Sequence, residues 1–318
     1  MQFIRECKER ETYRVVEPTV AAFAPLLKKK KAYIKEVAFK TFRYAPGDRG
    51  ELDVYYPISS MNDRAKTPVL FFIYGGGFNS GQRSISPKSF GLVYACLAAY
   101  FARQGFIVII PDYRVVPNVV FPGPAEDVRD AIRWTVENKD VCLFSESSPN
   151  PDVENILLMG HSAGAAHIAT MLFLTDVLAE NDALRKNIAA IILESPPFDL
   201  SAMTPDWPTA SVHAAYWGGT LEQAKENDPL HLYKRLNNTI IHQLPKTLMV
   251  EAEFEPEWLL DAGEKFNEEV KKRTGQAFKV LTAKGHNHVS LNWALSTGEG
   301  EEWAVDVILW LRNHNIIM

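Results

Sequence analysis

Gly160-His161-Ser162-Ala163-Gly164 sets a serine between two glycines at the junction of two apolar segments, and a serine so placed can act as a nucleophile. Upstream, Asn155-Ile156-Leu157-Leu158-Met159 reads as a buried strand, and downstream residues 165–177 are rich in apolar side chains and free of Gly and Pro, as a helix requires. A chain that turns at once from strand to helix strains the residue at the turn and brings neighbouring backbone too close for side chains at 160 and 164. The serine hydroxyl then stands clear of the strand end, beside helix N-terminal N–H groups that favour negative charge. The predicted chemistry is attack on a carbonyl carbon, with the resulting oxyanion held by main-chain donors. The same five residues also occur in ordinary glycine loops, so other segments must supply the base, the acid and the anion site.

A second glycine cluster, Tyr74-Gly75-Gly76-Gly77-Phe78, follows the strand-like Val69-Leu70-Phe71-Phe72-Ile73. Glycines there let the backbone approach a substrate closely and turn its N–H groups toward one point. Between the two clusters lie Phe106-Ile107-Val108-Ile109-Ile110, then Pro111-Asp112-Tyr113-Arg114, then Phe121-Pro122-Gly123-Pro124-Ala125-Glu126-Asp127. The first is a continuous β-branched run suited to a fully buried parallel strand, and Val128, Ile132 and Val136 give the following helix an apolar stripe. Asp112, Arg114 and Asp127 are read as a structural salt-bridge network rather than as site residues.

These segments, with Gly285-His286-Asn287-His288 near the far end, resemble the hormone-sensitive-lipase-like branch of the α/β-hydrolases, the fold-3 family, over roughly residues 50 to 290. The resemblance implies an α/β-hydrolase fold: a mostly parallel central sheet with helices on both faces and a helical cap. It implies an oxyanion hole from the N–H groups of Gly75, Gly76 and Ala163, and a triad in the chain order serine, acid, histidine. His288 matches the family's catalytic histidine, with His286 as the competing assignment. A zinc site on this His-x-His pair lacks further ligands at metal spacing. His161 and His167 are assigned to elbow packing and a helix face.

Ala252-Glu253-Phe254-Glu255-Pro256 aligns Glu255 with the family's catalytic Asp, leaving Glu253 and Asp261 as reserves. Glutamate can do the same work, accepting from the imidazole N–H and stabilising the imidazolium, although its extra methylene requires a small backbone adjustment. Tyr74 is the second departure, standing where the family usually has His, which puts in question the internal bracing of the glycine loop but not its donors.

The elements needed to position these residues follow from pattern. Strands at 69–74, 106–110, 155–160, 189–193, 247–251 and 278–282 alternate with helices, as in a parallel sheet covered on both faces. Lys35–Phe42 and Leu52–Tyr56, across Pro46-Gly47-Asp48, predict an antiparallel entry to that sheet. Trp303, Val307 and Leu311 give a closing helix its stripe. Residues 1–31 read as helical, and 198–237 interrupt the alternation with Pro205, Trp207, Pro208, Tyr216 and Trp217. Both occupy the places of the family's cap, so their aromatic residues either line an apolar acyl or ring pocket or pack the cap on the core.

At 318 residues with 47% hydrophobic content, the chain suits one enlarged α/β domain, 1–318, with no linker. A net charge of −5 supplies no electrostatic footprint for nucleic acid. The Lys28–Lys31 run reads as a solvated helix end. Cys7, Cys96 and Cys142 lack paired spacing, and Arg5, Glu6, Glu9 and Arg10 break any secretory leader, so a cytoplasmic protein without stable membrane insertion is expected. A homodimer stays open.

The expectation for function is a carboxylesterase-type serine hydrolase acting without metal or organic cofactor on an ester or lactone of a small, largely apolar molecule. The same triad also serves arylformamidase-like amide hydrolysis, acyl transfer or lactone formation. A peptidase is disfavoured because no large gating domain precedes the core. A non-catalytic small-ligand receptor is disfavoured because such relatives typically lose the histidine, and His288 is present.

Overall fold

The computed structural model describes residues 1–7, 9–58, 66–85 and 89–318. Eight strands form one sheet: β1 Phe39–Arg43, β2 Glu51–Tyr55, β3 Thr67–Ile73, β4 Ile107–Pro111, β5 Pro151–His161, β6 Ile188–Glu194, β7 Lys246–Phe254 and β8 Lys279–Asn287, in the order β1-β2-β4-β3-β5-β6-β7-β8. β1, β2 and β4 pair antiparallel, and every contact from β4 through β8 is parallel. The central strands are apolar throughout because helices cover both faces, leaving Val69–Ile73, Ile107–Ile110 and Ile156–Met159 buried.

The antiparallel entry starts later than the apolar pattern predicts. Lys31–Lys35 form a helical turn, and pairing begins at Phe39 opposite Tyr55. The expected elbow helix is also shorter, running Ala163–Phe173 rather than to 177. Its residues are all buried, so it packs in the centre of the molecule rather than on its surface.

Close packing at the elbow explains its glycines. A Cβ at Gly164 would lie 2.1 Å from the Ile73 carbonyl oxygen and 2.4 Å from that of Tyr74, and one at Gly160 would meet Ile168 Cδ1 at 2.7 Å. The turn between them puts Ser162 at φ 53°, in the left-handed region.

The N-terminal helix Thr12–Lys29 reaches the far end of the chain, where the Asn287 side-chain amide donates to Thr19 Oγ1 at 3.0 Å. Lys28 and Lys29 occupy the last turn of this helix, exposed and favourable to the helix dipole. Residues 198–237, between β6 and β7, hold the helices Ala210–Tyr216, Leu221–Asn227 and Pro229–Arg235. The last two are started by side-chain caps, Thr220 accepting from the Gln223 N–H and Asp228 from the His231 N–H. Tyr216 and Trp217 form a small apolar cluster with Phe78, Ala163 and Ala166, so this insertion packs directly on the elbow helix and the glycine loop. Among the described residues, no helix is long and apolar enough to cross a membrane.

Because the atoms opposing Gly164 are backbone carbonyls, they cannot swing aside. Gly164→Ala should destabilise the protein by at least ~2 kcal/mol, read as a lowered midpoint in urea unfolding. An unchanged midpoint would show that the elbow is not packed against β3 as described.

Candidate active site

Three parallel strands deliver their C-terminal ends to one place. Ser162 follows β5, Glu255 follows β7, and His288 follows β8. Ser162 Oγ lies 3.0 Å from His288 Nε2, and His288 Nδ1 lies 2.8 Å from Glu255 Oε2. A carboxylate oxygen only accepts, so Nδ1 carries the imidazole proton and Nε2 is free to accept from the serine hydroxyl. Glu255 is fully buried, and its other oxygen accepts from Ser195 Oγ at 2.5 Å.

The sequence-derived alternatives fall elsewhere. His286 bonds Ser290 Oγ at 3.0 Å and the Gly300 carbonyl at 2.9 Å, and burial pushes its pKa down to about 4. Glu253 accepts from the Gly285 N–H at 2.6 Å and so braces the histidine loop, while Asp261 is exposed on the helix Glu257–Thr274. The loop is held by Asn287 as well, whose Oδ1 accepts from the N–H groups of Val289 and Ser290 at 3.1 and 2.9 Å.

Gly75 sits against the nucleophile position, since a Cβ there would come within 2.9 Å of both Ser162 Cβ and His161 Nδ1. The loop turns tightly beyond it: the Gly76 carbonyl accepts from Ser80 N–H at 3.0 Å and Ser80 Oγ at 2.6 Å, while Gly77 and Phe78 have φ of 58° and 68°. Among the described residues, the N–H groups of Gly75, Gly76 and Ala163 have no hydrogen-bond partner, so their donors remain available.

Tyr74 braces the glycine loop from within. Its hydroxyl donates to Asp112 Oδ1 at 2.8 Å, its ring stacks on Tyr113 at 4.6 Å, and Tyr113 returns a hydroxyl bond to the Tyr74 carbonyl at 2.7 Å. Asp112 is paired with Arg83, which also reaches Asp53 at 3.1 Å and Glu51 at 2.6 Å. Arg114 instead pairs with Asp127 at 2.7 Å. The expected salt-bridge network of Asp112, Arg114 and Asp127 is therefore divided, Asp112 joining an Arg83-centred cluster while Arg114 and Asp127 pair separately. Arg83 carries no sequence signal of this role, lying in an irregular loop.

Two histidines near the site are neutral by burial. His161 Nε2 lies 2.7 Å from the His288 carbonyl, which only accepts, so this nitrogen donates, and burial pushes the pKa of His161 to about 3. His167 is fully buried, with its Nδ1 3.1 Å from the Tyr216 hydroxyl and its pKa also pushed to about 3. It thus belongs to the aromatic cluster around Phe78, whose ring stacks on Tyr216 at 4.4 Å.

Sequence reasoning missed Glu194 and Ser195. A carboxyl closing the apolar run of β6 was the available signal. Glu194 is wholly buried, accepts from the Asn292 side-chain amide at 2.9 Å, and its pKa is pushed up by burial to about 8. Its main-chain oxygen accepts from the Ser162 N–H at 2.8 Å.

A parallel sheet with an antiparallel entry, helices on both faces and a strained serine after its central strand define an α/β-hydrolase. Residues 52–253 match the family model described as BD-FAE, more than half of the chain, and the protein belongs to that family, of the α/β-hydrolase fold-3 type. An inhibited esterase B from Lactobacillus rhamnosis shares the fold with a TM-score of 0.68, at 19% identity over 94% of this chain and 96% of that one. Among curated relatives, the non-reducing polyketide synthase ausA of Aspergillus calidoustus is 30% identical over 164 residues, 50% of this chain and 6% of that protein. Carboxylesterase 20 of Arabidopsis thaliana is 27% identical over 151 residues, 46% of this chain and 43% of that one. The matched stretch thus spans less than half the length of either relative.

Burial of Glu194 couples stability to pH. Its folded pKa of about 8 lies above the usual 4.5, so the neutral form is favoured in the fold, and its contribution is complete below 4.5 and lost as pH rises through about 8. Relative to the parent, Glu194→Gln should gain on the order of 1.4 kcal/mol per pH unit across that window. Urea midpoints of both proteins at pH 5 and pH 8 test this, and a constant difference would contradict it.

Proposed function

We propose that the protein is a carboxylesterase-type serine hydrolase that cleaves a carboxylic ester or lactone of a small, largely apolar molecule through an acyl-enzyme on Ser162. The observation that carries this reading is the continuous chain Ser162 Oγ, His288 Nε2, His288 Nδ1, Glu255 Oε2, with contacts of 3.0 and 2.8 Å. In the first step, Ser162 Oγ attacks the carbonyl carbon while its proton passes to His288 Nε2. Glu255 stabilises the imidazolium and keeps its ring oriented. The N–H groups of Gly75, Gly76 and Ala163 receive the oxyanion, their close approach to Ser162 permitted by the missing side chain at 75.

Collapse of the tetrahedral intermediate breaks the bond to the leaving oxygen, which takes the proton from His288 Nε2. Water then gives a proton to His288 and its oxygen to the acyl carbon. The acid leaves, and the proton returns to Ser162 Oγ. The helices of the two segments 1–31 and 198–237 act as a cap, the second packed on the elbow helix through Phe78, Tyr216 and Trp217 so that water is excluded beside it. His288 within bonding distance of Ser162 supports an enzyme over a ligand-binding receptor.

Short-chain p-nitrophenyl esters test the reading on purified protein. Ser162→Ala should lower kcat by ~10⁴ to 10⁶, and a fully active variant sinks the assignment. Glu255→Gln should be much slower than the parent, whereas Glu253→Gln should stay near it because the amide oxygen can still accept from the Gly285 N–H. The reverse ranking would move the acid to Glu253.

A further inference from the structure

β6 lies between the strands that carry Ser162 and Glu255, and no step of the mechanism uses its C-terminal residues. Glu194 and Ser195 are nevertheless both buried and polar. Glu194 bonds the serine segment through its carbonyl and the helix Ser290–Ala294, directly after His288, through its carboxyl. Ser195 donates its N–H to the Val250 carbonyl at 3.0 Å and its hydroxyl to Glu255 Oε1 at 2.5 Å. Adjacent residues on one strand end therefore reach the surroundings of Ser162, Glu255 and His288.

The Ser195 backbone has a φ of 45°, a left-handed value at which glycine is relaxed and a side chain costs energy. A serine held there puts its Cβ substituent to use: its hydroxyl lies 2.5 Å from Glu255 Oε1 and 3.4 Å from the Val250 carbonyl oxygen, and among the described residues Glu255 is the carboxylate it meets. The acid itself supplies the reason. Glutamate has one more rotatable bond than aspartate, so a Glu255 held by His288 alone keeps torsional freedom that turns Oε2 away from the imidazole. A second donor on Oε1 fixes the carboxylate at both oxygens, and a buried carboxylate needs such partners.

We propose that Ser195 is the positioning residue of the Glu255 carboxylate, its hydroxyl holding one oxygen so that the other stays on His288. This rests on the reading of Ser162, Glu255 and His288 as a catalytic triad. Ser195 touches neither substrate nor reacting atoms and acts through Glu255 alone. Loss of its hydroxyl lets the acid swing and leaves His288 less often aligned, so the chemical step slows while substrate binding is untouched.

The test compares parent, Ser162→Ala, Ser195→Ala and Ser195→Gly with a p-nitrophenyl ester. Loss of a hydrogen bond to a charged group should lower kcat on the order of 10- to 100-fold in both Ser195 variants, with KM unchanged. Ser195→Gly relaxes the left-handed backbone, so its melting temperature should equal or exceed that of Ser195→Ala, separating lost positioning from lost folding. Parental kcat in a folded Ser195 variant overturns the inference, as does a loss confined to KM. An active Ser162→Ala overturns the triad reading instead, and an inactive one beside fully active Ser195 variants leaves the triad standing while removing Ser195 from it.

Discussion

The close approach of the elbow to β3 is the constraint from which the site follows. Carbonyl oxygens of Ile73 and Tyr74 occupy the space a side chain at 164 would need, and the chain between Gly160 and Gly164 can turn only by placing Ser162 in the left-handed region. The same contact sets the loop after β3 against the serine. Gly75 borders Ser162 because β3 and β5 are neighbours in parallel register, with Ile73 opposite Gly160. Ser162 and Gly75 are thus brought together by one strand pairing rather than by two independent loops.

Around this contact the buried titratable groups divide into those held neutral by burial and those given a partner. Beneath the elbow, His161 and Glu194 are register partners at the ends of β5 and β6, and burial favours the neutral form of each. The buried carboxylates of Asp112 and Asp127 instead meet guanidinium partners, Arg83 and Arg114 respectively, and Asp112 also accepts from the hydroxyl of Tyr74, which leads into the glycine loop.

Two residues that the sequence resemblance did not lead one to expect are accommodated by packing. The Tyr74 ring is absorbed between Tyr94 and Tyr113 while its hydroxyl reaches Asp112. Glu255 is longer than Asp, and Ser195 takes up its second oxygen. In each case the compensating group lies on an element distant in sequence, which is why the substitutions look like defects when read along the chain.

What local chemistry dictates was readable from residue order alone. The elbow announces itself because only glycine fits at 160 and 164, and the buried strands because a sheet covered on both faces needs uninterrupted apolar runs. Motif singles out Ser162, while chain order together with the family resemblance points to Glu255 and His288, and folding brings the three within bonding distance. The partners of Asp112, the roles of Glu194 and Ser195, the burial of His167 and the clasp between Thr19 and Asn287 required the tertiary structure. Such contacts join residues far apart in the chain, and a single charge or hydroxyl carries no periodicity to reveal its partner. Backbone sterics and hydrophobic pattern are local and legible in order of residues, whereas hydrogen-bond partners depend on which strand ends the completed sheet brings together.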